Sequence, residues 1–153
     1  MKKTHILLVA ALTATLFCSQ VTAKNVVTKT YIFGFAASFN DTIVHFTDIQ
    51  EVDSAWIDSK TGFLLGRENY SYQLRNYLGS QLQMPKRTCI VVANPKKEKL
   101  EKIFLKMRRL YTGESKKKKK KEEAQKHFDI RYITSSDFQF LPINMNIVEE
   151  SGE

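Results

Sequence analysis

The chain has too little cysteine for an internal disulfide framework. Only two of its 153 residues are cysteine, Cys18 and Cys89, and Cys18 lies in an N-terminal segment that we predict to be removed. A chain with one remaining thiol depends on its hydrophobic core for stability. Cys89 lies in the apolar run CIVVA, where a free thiol typically packs as a small hydrophobic side chain. The alternative is that Cys89 acts as a nucleophile.

Motifs of the common enzyme and metal-site classes are also absent from the sequence. There is no GxSxG elbow, HExxH helix, CxxC pair, glycine-rich phosphate loop or EF-hand spacing. His45 and Asp48 lie three positions apart on a predicted strand, so they point to opposite faces and form no local base–orienter pair. Asp48, Asp53 and Asp58 recur every five residues, and turn-forming aspartates explain this spacing as well as a hard-cation site does.

We therefore predict no catalytic residue, no metal site and no cofactor, and a non-catalytic binding or interaction module. The alternative is a hydrolase or transferase whose residues are scattered along the fold. An unidentified protein or envelope component is the expected partner of a binding module.

A long apolar run occurs only once, at the N-terminus. Two lysines precede the apolar residues 6–17, and Val21-Thr22-Ala23 then places small residues at a cleavage position. The run is shorter than the roughly 20 residues of a membrane-spanning helix. We therefore predict a signal peptide over residues 1–23, cleaved after Ala23, and a periplasmic or secreted protein without a membrane span.

Lipidation at Cys18 is the rival interpretation of this N-terminal segment. Bulky Leu16 and Phe17 precede the cysteine, where a lipoprotein signal requires small residues. Loss of the predicted signal peptide removes Lys2 and Lys3 and no acidic residue, which lowers the formal net charge from +8 to +6. About 130 residues remain, enough for one domain with one core.

Basic residues are abundant and unevenly distributed. Residues 95–126 hold 14 lysines and arginines against five glutamates. The local excess of +9 exceeds the charge of the whole mature chain, so the remainder is slightly acidic. Such a region attracts anionic polymers or lipid surfaces through a salt-sensitive force. Six consecutive lysines form its densest part: Lys116, Lys117, Lys118, Lys119, Lys120 and Lys121.

The lysine run has two interpretations. Like charges repel, so residues 114–127 are expected to form an exposed loop. The run lacks interleaved aromatic side chains and arginine forks, which excludes a specific nucleic-acid site and leaves weak polyanion binding as the functional alternative. The acidic residues 149–153 are predicted to form a disordered tail.

Hydrophobic periodicity predicts a single compact α/β (α+β) domain over residues 24–148, with element order ββαβαβ. Period-two alternation before and after Asn40-Asp41 predicts an N-terminal hairpin, followed by an irregular connection over 51–66. Helical spacing predicts one helix over 67–83 and a second that starts at Asn94-Pro95 and ends at Gly113. The apolar stripe expected on the second helix consists of Leu100, Ile103, Phe104, Met107 and Leu110.

Further strands are predicted over 88–93, which we place in the middle of a mixed sheet, over 128–133, and at an edge over 138–143. Two layers are expected, because two helices are available to cover the sheet. The expected buried residues are Phe33, Phe35, Leu78, Val91, Leu100 and Phe104.

Aromatic side chains are the last group with functional potential. Trp56, Tyr70, Tyr72 and Tyr77 are close in sequence, and tyrosine-rich surfaces are common in binding sites. The alternative is that Tyr70 and Tyr77 belong to a buried helix face and Tyr72 is solvated. The export signal and the stretch TYIFGFAASFNDTIVHFTDIQ together resemble the small uncharacterised secreted proteins of Bacteroidota. This resemblance implies one secreted α/β domain and no particular activity.

Overall fold

The computed structural model describes residues 25–113 and 127–145, which form a five-stranded mixed sheet and two helices. The predicted fold class, N-terminal hairpin and pair of helices are confirmed. The predicted signal peptide, the lysine run and the acidic tail lie outside the described residues. In chain order the elements are β1 (Asn25–Ala37), β2 (Ile43–Thr47), β3 (Gln50–Asp58), α1 (Arg67–Ser80), β4 (Thr88–Asn94), α2 (Lys97–Thr112) and β5 (Asp129–Ile133).

The sheet is organised around the long strand β1. Antiparallel β4 flanks one edge of β1 along residues 31–37. The other edge is shared by β3, paired with residues 25–32, and β2, paired with residues 35–37. Strand β5 adds to β2 in parallel. Across the sheet, β4 lies on one side of β1, β2 and β3 share the other side, and β5 lies beyond β2. β4 is therefore an edge strand, and the prediction that it lies in the middle of the sheet is wrong.

The domain has three layers, which corrects the prediction of two. Alternate residues of β1 point to opposite faces of the sheet, and both sets are apolar. Ile32 and Ala36 share a buried cluster with Leu74 of α1, whereas Phe33 shares a second cluster with Leu100 of α2. Each helix therefore covers its own face. The two apolar faces of β1 are evident in the sequence, and each of them requires a covering layer.

The apolar stripe of α2 differs from the predicted one. Leu100 is buried and Phe104, Met107 and Tyr111 pack partly against the same cluster, whereas the predicted Ile103 and Leu110 are 37% and 62% exposed. Of the six predicted core residues, all but Phe104 are buried. Phe104 is half-buried, with its ring edge-on to Phe33 at a centroid distance of 5.1 Å.

The start of α2 also differs from the prediction, whereas its end does not. The helix begins after Lys96 rather than at Pro95. Asn94 lies two residues before this N-cap position, and its side chain accepts a 2.8 Å hydrogen bond from the Lys96 N–H. Gly113 ends the helix in the left-handed conformation, as predicted.

Two further segments were assigned wrongly. The supposed irregular connection after residue 50 contains the strand β3. The supposed edge strand over 138–143 is not a strand, because its backbone bonds to glutamine side chains instead of to a neighbouring strand. Gln50 donates to the Phe138 carbonyl and accepts from the Phe140 N–H, both at 2.8 Å. Gln73 makes the same pair of bonds to the backbone of Leu141.

Candidate functional site

The described part of the basic region is an exposed face of α2. Opposite the buried Leu100, the helix surface carries two glutamates among many cations. Residues 116–121, the predicted polyanion-binding residues, lie outside the described ranges, so their binding of polyanions stays a prediction. The exposed cations at and along α2 are Lys96, Lys97, Lys99, Lys102, Lys106 and Arg109.

Two of the three aspartates of the sequence analysis, Asp48 and Asp58, accept backbone hydrogen bonds. Asp58 accepts hydrogen bonds from the backbone of Lys60 and Thr61 and so shapes the turn after β3. Exposed Asp48 accepts from the Ser135 N–H at 2.9 Å. Among residues 25–113 and 127–145, no group of three or more His, Cys, Asp or Glu side chains could hold a metal ion. Turn formation is the role that the geometry assigns to Asp58.

Cys89 is buried, and its thiol donates a weak hydrogen bond to the Arg87 carbonyl, with an Sγ–O distance of 3.8 Å. Burial raises the pKa of Cys89, which disfavours the thiolate that a nucleophile requires. The strand registers place Ala36 between Cys89 and His45. Two strand spacings of about 4.8 Å separate them, so their backbones lie too far apart for a close Cys–His pair. The interpretation of Cys89 as a small buried hydrophobic residue is supported by both observations.

His45 lies on β2, on the sheet face that α1 covers, and is 2% exposed. It borders a cavity of about 370 Å³ that is also lined by Tyr77, Arg131 and Asp137. Its Nδ1 has no hydrogen-bond partner within the described residues. Burial, and then the positive charge of Arg87 and of Arg131, lower the pKa of His45 from 6.5 to about 4. The imidazole is therefore neutral at neutral pH and a weak base.

A larger cleft than the one beside His45 lies between α1 and the edge strand β4. It has a volume of about 720 Å³ and is bounded by the loop 64–66, the first two turns of α1, residues 89–91 of β4 and Met145. A second cleft of about 510 Å³ shares Arg75 with the first and reaches Pro85. We call the two clefts together the α1–β4 groove. Sequence reasoning missed it because its two walls become neighbours only through the strand order.

Gly66 shapes one end of the α1–β4 groove. Its φ of 64° lies in the left-handed region, and a Cβ at this position would lie 2.9 Å from the Met145 sulfur. Glycine therefore permits both the turn into α1 and the close approach of Met145.

Two exposed arginines of α1 line the groove. The Arg67 guanidinium lies over the Phe63 ring at 5.1 Å, and that of Arg75 lies over the Tyr72 ring at 5.0 Å. Such stacking holds a guanidinium in place while its N–H groups stay available to an anion. Neither arginine forms an ion pair with another described residue. Of the tyrosines singled out in the sequence, the exposed Tyr72 borders the groove, and Tyr70 is in the core as its structural interpretation predicted.

No helix within the described ranges is long and apolar enough to cross a membrane. Comparisons with protein-family models, with curated proteins and with solved structures find no match to this chain.

Proposed function

We propose that this chain is an exported, non-catalytic binding module and that the α1–β4 groove is its binding site. The single observation that carries the proposal is the groove itself. It combines an apolar wall on the edge strand β4 with a polar wall on α1, and the α1 wall carries two arginines without ion-pair partners among the described residues. Binding sites typically combine an apolar surface with a few fixed polar groups in this way. The N-terminal sequence supports export to the periplasm or beyond.

The titratable side chains in the domain interior support a binding role over catalysis. General bases operate best with a pKa near the working pH, and nucleophilic cysteines need a lowered pKa. The pKa of His45 is lowered to about 4 and that of Cys89 is raised, which is the unproductive direction for each. The convergence of His45, Tyr77 and Asp137 on one cavity is the observation that favours the hydrolase or transferase alternative.

Weak binding of anionic polymers or lipid surfaces is a second candidate function, favoured by the exposed basic face of α2. It predicts retention on heparin that fades as salt shortens the screening length from about 30 Å to about 8 Å. Replacing Lys116–Lys121 by glutamine should reduce this retention and leave stability within about 0.5 kcal/mol per position, as is usual at exposed sites. Unchanged retention would exclude the lysine run as its source.

Co-purification of the tagged protein from its own envelope tests the proposed function. The parent protein is compared with the groove variant Arg67→Gln/Arg75→Gln and with the control Lys102→Gln/Lys106→Gln, which removes the same charge from the exposed face of α2. A partner retained by the parent and the control but lost from the groove variant, and bound directly when purified, supports the proposal. A partner lost only from the α2 control would assign binding to the basic face instead.

A further inference from the structure

The edge strand β4 lacks the features that usually protect an exposed sheet edge. Proteins discourage unwanted strand pairing with charged residues, proline or bulges at an edge. The seven residues TCIVVAN of β4 contain no charge and no proline, and its pairing with β1 is continuous from residue 88 to 94. By contrast, the edge strands β3 and β5 carry charged residues within their spans. An apolar edge without charge, proline or bulge is suited to accept another strand.

The hydrogen bonds of β1 show which groups β4 offers. The Gly34 N–H donates to Thr47 Oγ1 at 2.8 Å, so it points toward β2 and away from β4. Gly34 therefore faces Val91 as a non-hydrogen-bonded pair, in which both residues direct their backbone groups outward. By alternation, Cys89, Val91 and Ala93 direct their N–H and C=O groups to the open edge. No described backbone group outside β1 bonds to them.

The two faces of an added strand would meet different chemistry. On the α1 face, Arg67 and Arg75 lie eight residues apart on one helix, a distance of about 12 Å at 1.5 Å per residue. Side chains four residues apart on one face of a strand are separated by about 13 Å. On the α2 face lies Ile90, which is 43% exposed. The matching strand has acidic side chains four residues apart on one face and apolar side chains on the other.

We propose that an extended peptide from another protein adds to β4 as an extra strand, with acidic side chains four residues apart that pair with Arg67 and Arg75. This inference rests on the proposed function and names its ligand class. Backbone hydrogen bonds to Cys89, Val91 and Ala93 supply affinity, and the arginines supply selectivity for carboxylates. Complementary charge selects the occupant, because the groove presents two cations against the single carboxylate of Glu68.

The probe is a blocked synthetic peptide of about nine residues, long enough to span both arginines. Threonine and valine alternate along it, and glutamates replace the two threonines on either side of the central one. Its binding to the full chain is measured by calorimetry. We expect replacement of both glutamates by glutamine to weaken binding about tenfold, corresponding to about 1.4 kcal/mol. The protein variant Arg67→Gln/Arg75→Gln should reduce affinity for the acidic peptide to the level of the glutamine peptide.

Amide methylation of the probe distinguishes strand addition from mere charge attraction. An added strand bonds to β4 through every second residue. One set of alternate N-methyl groups should therefore abolish binding, and the other set should change it less than about twofold. Equal effects of the two sets would overturn strand addition. If the groove variant still loses its envelope partner in that case, the proposed function stands without this ligand class.

A competing occupant is the chain's own sequence after Met145, since NIVEESGE also combines branched apolar and acidic residues. The test therefore includes a chain truncated after residue 145. Equal binding by the full and truncated chains supports a separate partner. Binding by the truncated chain alone would show that the chain's own residues fill the groove and would overturn the assignment to another protein.

Discussion

The buried His45 should make the stability of this domain depend on pH in a mildly acidic range. Its side chain is enclosed by the sheet and α1, and its pKa is lowered from 6.5 to about 4 by burial and by the charges of Arg87 and Arg131. Asp41 and Asp129 oppose this effect without reversing it. Below pH 6.5 His45 becomes protonated in the unfolded chain but stays neutral in the folded chain until the pH is near 4, so acid favours unfolding.

The size of the effect follows from the two pKa values. Each pH unit between 6.5 and about 4 is worth about 1.36 kcal/mol. The free energy of unfolding should therefore fall by about 3 kcal/mol across this range. The contribution of His45 is fully present above pH 6.5 and is lost as the pH falls to about 4. For a domain whose total stability is roughly 5–15 kcal/mol, this is a substantial fraction.

Denaturant unfolding at several pH values between 7.5 and 4 measures this dependence. The variant His45→Gln lacks the titrating group and should lose most of the decline between pH 6.5 and 4.5. The control His127→Gln replaces an exposed histidine and should follow the parent protein. If the parent and His45→Gln curves run parallel over this interval, His45 is not held neutral by its surroundings and the assignment is wrong.

Three further substitutions, two of them paired with a control substitution, test the packing of the domain through the free energy of unfolding. Gln50→Glu removes the donor to the Phe138 carbonyl and should lower the free energy of unfolding by about 1–3 kcal/mol. Gln73 is more exposed, so Gln73→Glu should cost less. Equal losses for the two variants would contradict the role of burial. Gly34→Ala places a Cβ only 2.6 Å from a leucine methyl of α1, so we expect a loss of about 1–3 kcal/mol from overpacking, and an unchanged midpoint would refute it. Phe104→Ala should cost about 2–3 kcal/mol, below the ~3–5 of a fully buried phenylalanine, while exposed Leu110→Ala should stay within about 0.5. A larger loss for Leu110→Ala than for Phe104→Ala would show that the packed face of α2 is misassigned.

The parts of the fold that the sequence predicts are those with unbroken periodicity. The alternation of β1 and the spacing of Tyr70, Leu74 and Leu78 in α1 identify their elements directly. Strand β3 was not predicted, because the alternation of its buried and exposed residues is interrupted. Val52 is buried, the next buried residue is Ala55, and the pairing with β1 shifts register at this position. An irregularity of this kind breaks the period of two in the apolar positions, so the sequence pattern no longer indicates a strand.

The opposite error occurred over residues 138–143. Phe138 and Phe140 alternate as they would on a strand, and both rings pack against tyrosines of α1. The backbone of these two residues, however, bonds to the side chain of Gln50, and the backbone of the next residue, Leu141, bonds to that of Gln73. These glutamines are distant in sequence, so local periodicity carries no sign of them.

The candidate groove was equally hidden from the sequence. Its formation depends on β4 lying at the sheet edge, and an apolar run such as CIVVA is typical of a central strand. Nothing in the spacing of Arg67 or Arg75 connects them to residues 89–91 until the strand order is known. The features that dominate the sequence, the lysine run and the N-terminal apolar segment, lie outside the described residues.

Residue-resolved hydrogen exchange along β4 tests the central claim most directly. In the free protein, the N–H groups of Ile90 and Val92 bond to β1 and should exchange slowly, whereas those of Cys89, Val91 and Ala93 face the open edge and should exchange faster. Addition of the acidic peptide should slow exchange at Cys89, Val91 and Ala93 and leave Ile90 and Val92 unchanged. Uniformly slow exchange in the free protein, or no added protection at these three amides with bound peptide, would contradict the assignment of β4 as the binding edge.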